Sequence, residues 1–145
     1  MSKVIFTNSD GTVSIMTPIE GTAEECAKRD LPSGTSYEIV DDSVIPTDRS
    51  FRNAWKQNGK TIETDMAKAR EIHKTNIRSA RAIKFAELDI EFQKALETSS
   101  STTDIVTKKQ ALRDAPADSA INSATSESEL KLQWNTSILG NSPYS

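Results

Sequence analysis

The stretch MAKAREIHKTNIRSARAIKFAELDIEFQKALET, residues 66–98, contains neither glycine nor proline. A helix over all of it would be a rod of roughly 50 Å at the usual rise per residue. Thr64-Asp65 stands before it as a cap. Its apolar stripe drifts. Ile62, Met66, Ala69, Ile72, Ile77, Ala80 and Ile83 mark the first half, and Phe85, Leu88, Phe92 and Leu96 mark the second. Such drift predicts two packing partners along one rod, or a bend near residues 82–84. Residues 99–103, SSSTT, end the helix. Ser101 and Asp104 then have the spacing of a capping box. The return helix runs to Asp114 with Ile105, Val106 and Leu112 apolar. A long arm and a short one make a lopsided helical hairpin. The short arm covers only the Phe85–Leu96 half, so the half from Met66 to Lys84 is left without a cover from within the hairpin.

Upstream, KVIFT (residues 3–7) and TVSIM (12–16) flank Asn8-Ser9-Asp10-Gly11. Branched residues either side of such a cluster predict a β-hairpin, with Gly11 at positive φ. Thr22 and Glu25 form a capping box for a short helix to about Asp30, with Ala23, Cys26 and Ala27 facing inward. Leu31-Pro32-Ser33-Gly34 stops it, because proline disfavours helical geometry in the residue before it. Residues 36–40, SYEIV, give a third strand. The result is a ββαβ head of about 45 residues, near the lower limit for a domain that must fold alone.

Thr47 or Asp48 is then expected to cap a short helix in which Phe51 and Trp55 meet at i, i+4. Asn58-Gly59 signals a tight turn and a small hairpin. The Phe51/Trp55 pair is read as the hinge of the structure, an apolar plug between sheet and helices, with Trp134 as a third hinge residue. After the hairpin, Pro116 ends the return helix, Asp118 caps a turn through Ile121, and Ser126 with Glu129 boxes a last helix carrying Leu130 and Trp134. Leu130 and Trp134 ask for an apolar pocket, from the hairpin itself or from a neighbouring chain. The tail from Asn135 onward is polar, and its order is expected to depend on a partner. The fold class is therefore α+β: a small N-terminal ββαβ unit, a long-helix helical hairpin and a short C-terminal helix. Its parts are a head over 1–46, a connector over 47–63, the hairpin over 64–115, and short helices with a polar tail over 116–145.

Composition narrows the function. The chain has 145 residues, 35% of them hydrophobic and 6% aromatic. A single large core does not fit that share, so thin layers and partner contacts must divide the burial. No apolar run approaches the roughly 18 residues of a membrane span. Only Val4-Ile5-Phe6 follows the first three residues, too short for a signal-peptide core. One cysteine, Cys26, rules out an internal disulfide and a cysteine zinc cage, and one histidine, His73, rules out a multi-histidine metal site. No Gly-rich phosphate loop, GxSxG or HExxH occurs. Neither a cofactor nor a catalytic residue is expected.

The net charge of −3 hides an asymmetry. Residues 1–48 carry three cations and nine carboxylates, residues 49–84 ten and three, and residues 85–145 five and nine. Either the acidic segments fold back on the basic one or the chain assembles by charge with other subunits. Within the basic block Arg70, Lys74, Arg78 and Arg81 recur on one helix face. Like charges at i, i+4 destabilise a helix, and cations toward its N-terminus oppose its dipole. A contact with a protein partner, or with the acidic head, would recover that cost. Nucleic acid would also do so through its phosphates, but the acidic chain and the lack of aromatics or a recognition motif argue against it. His73 lies among these cations as a boundary residue. Asp41-Asp42 reads as a turn former and not a cation or acid–base site. Cys26 reads as a small apolar residue. Asn135-Thr136-Ser137 matches a glycosylation triplet with nothing else to suggest secretion.

Three stretches together carry a resemblance: IVDDSVIPTDRSFRNAW (39–55), MAKAREIH (66–73) and KKQALRDAPAD (108–118). Ala120, Ile121 and SESELK (126–131) follow before Trp134. Over roughly residues 37–134 the chain resembles a group of small tailed-bacteriophage proteins found with tail and tail-fibre genes, whose motifs have no assigned chemistry. The resemblance implies a non-enzymatic virion component of the tail or tail fibre, made in the host bacterial cytoplasm. Its implied partners are other phage structural proteins or further copies of itself, with no membrane. The alternative is an assembly chaperone for the tail or fibre that is absent from the mature virion.

Overall fold

A computed structural model describes residues 1–144. The fold is α+β, and the chain divides into two compact units. The first is Met1–Ala69, and the second begins at Arg70, inside the long helix.

The first unit is built on three antiparallel strands, β1 (Ser2–Thr7), β2 (Val13–Met16) and β3 (Glu38–Asp41), in the order β2-β1-β3. Val4 pairs with Met16 on one side and Ile39 on the other. Because side chains alternate across a strand, neighbours Val4 and Ile5 serve opposite faces. Val4 packs with Ala23 and Ala27 of helix α1 (Ala23–Asp30), edged by Phe6, Leu31 and Tyr37. The Thr22/Glu25 capping box is present in both halves. Ile5 packs with Val13, Val40 and Trp55, which together cover the second face. The sheet is thus a thin layer covered on both sides.

Trp55 reaches that face from a strand. The expected short helix after Thr47 is replaced by an Asx turn, in which Asp48 Oδ1 accepts from the Ser50 amide, and a 3-10 turn at Arg52–Ala54. Trp55 then opens β4 (Trp55–Asn58), which pairs with β5 (Thr61–Thr64). Gly59, at φ 56°, supplies the left-handed residue of the turn. Phe51 and Trp55 are both almost wholly buried. They are core residues of the first unit, and the connector belongs with the head rather than apart from it. The Arg52 guanidinium lies 4.6 Å from the Trp55 ring and donates to the Val13 carbonyl at 2.6 Å, tying the 3-10 turn to the sheet.

Helix α2 runs from Met66 to Glu97, opened by Asp65, whose carboxylate accepts from the Ala67 amide at 3.1 Å. In the second unit it returns through Ser99, at φ 57°, into α3 (Thr103–Asp114). The Ser101/Asp104 box does not form; Ser101 Oγ instead accepts from the amide of Thr103. Lys109 of α3 pairs with Asp89 of α2 and lies over the Phe92 ring. Three short helices follow, α4 (Ser119–Ser123), α5 (Glu127–Leu132) and α6 (Thr136–Leu139). Asp118 caps α4, and Ser126 caps α5. The Glu129 carboxylate turns back to Thr125 instead of Ser126. Ile121, Leu130 and Leu139, one from each short helix, are buried.

Candidate functional site

The basic row on α2 is not bare. Arg70 Nη2 donates to the Ala124 carbonyl at 2.8 Å. Arg81 Nη1 donates to the carbonyls of Leu112 and Arg113 at the end of α3, and its guanidinium and that of Arg113 each stand 5.9 Å from the Phe85 ring. Lys74 is mostly covered and pairs with Glu71 at 3.5 Å. Arg78 alone of the four is exposed, with no polar partner among the described residues. The expectation of an uncovered Met66–Lys84 half is therefore corrected. The end of the hairpin's short arm meets Arg81, and the chain beyond Pro116 meets Arg70 and His73. Arg70 and Arg81 reach different carbonyls, and each charge-assisted bond offsets part of the repulsion along the row.

His73 lies under that cover with none of its surface exposed, so it is a core residue and not a boundary one. Its Nδ1 is 2.5 Å from the Tyr144 hydroxyl, and its Nε2 is 2.8 Å from the Gln133 carbonyl. The Tyr144 ring stacks on the imidazole at 5.6 Å, and Trp134 meets both rings edge-on. Asn76 donates to the same hydroxyl, and Lys131 sits over the Tyr144 face. Trp134 Nε1 donates to the Gly140 carbonyl. Trp134 is therefore a clasp on the tail, and the segment from Asn135 to Tyr144 is held by its own chain rather than awaiting a partner. Nothing in the sequence around Tyr144 marks it; its role follows only from reaching His73.

The other sequence candidates resolve simply. Asp41 accepts from the Ser43 amide in a turn, and that bond holds its carboxyl below the usual range. Asp42 pairs with Lys3. Cys26 is buried with its sulfur 3.3 Å from that of Met16, and burial raises the thiol pKa, so the less reactive protonated form is favoured. Among the described residues no three His, Cys, Asp or Glu side chains are placed to hold a metal ion, and no helix is long and apolar enough to cross a membrane.

Two solvent-facing features remain in the second unit. Leu88 and Ala95 are buried on α2, whereas Ile83 and Ile90 are 65% and 58% exposed. Residues seven apart share a face, and five residues turn the helix by about 140°. Hence α2 carries two apolar stripes, one against its own chain and one toward solvent. Leu96 near the end of α2 and Val106 in the first turn of α3 are also exposed, Leu96 about 120° round the helix from Ile90. The second feature is a groove lined by residues of α2, α3, α5 and α6, including Ile77, Leu132, Trp134 and Ile138, with Asp114 and Asp118 among its walls. In the sequence Asp118 shows only its capping role, and Leu132 carries no signal. No protein-family model matches the chain, and comparison with curated proteins and with solved structures finds no match.

Proposed function

We propose that this chain is a non-enzymatic structural protein of a tailed bacteriophage, a tail or tail-fibre component that works through protein–protein contacts. The observation that carries the contact role is the second stripe of α2. A helix satisfied by its own fold needs one apolar face, and Ile83 and Ile90 lie one above the other on a second face that is left to solvent. The phage setting rests on the likeness of residues 37–134 to proteins found with tail and tail-fibre genes. The exposed guanidinium of Arg78 is the one member of the basic row free to join such a contact.

Mass spectrometry of purified particles tests the reading. The protein is expected in them at a copy number matching a symmetry ring. The double variant Ile83→Ser with Ile90→Ser is expected to fold and to drop out of the particles. Incorporation of that variant at the normal level would reject the stripe as the contact. Absence of the unaltered protein from particles, with co-purification on unassembled fibre, would replace this reading by the assembly chaperone.

A further inference from the structure

We infer that the groove between α3 and the α5–α6 segment is a docking site for a short segment of a partner protein, one carrying a large apolar side chain next to a lysine or arginine. This rests on the contact reading above but uses a different surface. The groove has a volume of about 630 Å³, inside the range of roughly 300–1,000 Å³ typical of binding clefts. Ile77, Trp134 and Ile138 line it, and Leu132 beside them is 78% exposed, the second most exposed large aliphatic side chain of the chain after Ile19. An apolar side chain seated there would cover Leu132.

Charge selects the flanking residue. The lining holds two carboxylates, Asp114 and Asp118, and no cationic side chain. Asp114 accepts from the Gln110 amide and Asp118 caps α4, and neither has a cation paired with it among the described residues. Asp114 also ends α3, where the helix dipole is negative and a carboxylate is unfavourable without a counter-charge. Arg81 takes the carbonyls of Leu112 and Arg113 but forms no ion pair with either aspartate. The walls therefore complement a cation, and carboxylate walls repel an anionic lipid surface.

Selection of a displayed random dodecapeptide library on the full chain tests this. Enriched peptides are expected to place Leu, Ile, Phe or Trp within two positions of Lys or Arg. Asp114→Asn with Asp118→Asn keeps the acceptor for Gln110 and the cap of α4, and is expected to weaken synthetic copies of those peptides about tenfold. Leu132→Ser, at an exposed position, is expected to weaken them similarly, with the melting temperature unchanged in both variants. No enrichment, enrichment of acidic peptides, or binding indifferent to both variants would overturn the inference. So would a dimer in sedimentation that Leu132→Ser abolishes, which would give the groove to a second copy. Because these measurements use the isolated protein, they fail or succeed independently of its incorporation into particles.

Discussion

The Tyr144 hydroxyl and His73 Nδ1 lie 2.5 Å apart across 71 positions of sequence, and this contact fixes the protonation of the imidazole. The Gln133 carbonyl opposite Nε2 can only accept, so Nε2 carries the hydrogen. Nδ1 is then the acceptor and the tyrosine is the donor, while Asn76 donates to the tyrosine oxygen. Every partner is satisfied by a neutral ring. A second ring proton would face a hydroxyl that already accepts from Asn76, in a buried site.

This arrangement sets a pH dependence. Burial holds the His73 pKa below its usual 6.5. The unfolded chain then binds more protons between the folded and unfolded pKa values, so stability rises with pH through that window. It is fully present above about pH 6.5 and falls on acidification until the folded pKa is passed. The depressed carboxylates act lower. Asp30, brought to about 2 by Arg29, and Glu129, lowered by its bonds to Thr125, lose their contribution only below the ordinary carboxylate range. Melting temperatures between about pH 7 and about pH 5 should therefore fall in the unaltered protein and stay nearly level in His73→Gln, which cannot titrate. Equal slopes would exclude His73 as the titrating group.

Trp55 separates packing from hydrogen bonding. Its indole nitrogen is buried without an acceptor among the described residues. Trp55→Ala should cost about 3–5 kcal/mol, as for large aromatic truncations in a core. Trp55→Phe gives up no hydrogen bond and retains most of the covering surface over Ile5, Val13 and Val40, so its cost should stay below about 2 kcal/mol. Urea denaturation of both variants measures the difference, and equal losses would contradict the assignment of Trp55 to packing.

Arg70 and Arg78 are chemically alike yet predicted to behave differently. Arg70→Glu leaves the Ala124 carbonyl without its donor and sets a carboxylate against it, which should cost about 1.5–3 kcal/mol. Arg78→Glu touches nothing in the fold and should change stability by less than about 0.5 kcal/mol. Any assembly defect of Arg78→Glu therefore reports a contact, whereas one from Arg70→Glu is confounded by folding. Urea midpoints that move together would refute the distinction.

Most elements were legible because their causes are local. The Thr22/Glu25 box, the Asp65 and Asp118 caps and the unbroken run of α2 depend on groups within a few residues of one another. The same locality explains an error. Phe51 and Trp55 have helical spacing, but Trp55 faces Ile5, Val13 and Val40 from a strand, and that packing outweighs the weak helical preference of a short segment. The site was less legible. Arg70, Lys74, Arg78 and Arg81 could be grouped on one face, while what lies over that face could not be read.

By itself the sequence determined the α+β class, the order of the elements apart from the short helix expected after Thr47 and the unforeseen α6, and the exclusions that follow from one cysteine and one histidine. Those rest on composition and on interactions along a short length of chain. Only the tertiary structure decided that the tail returns to α2, that His73 is sealed beneath Tyr144, and that Arg70 and Arg81 spend their charge on the chain's own carbonyls. Such contacts join residues thirty to seventy positions apart, and closing loops of that size is decided by the summed burial of the whole unit, which no local pattern encodes.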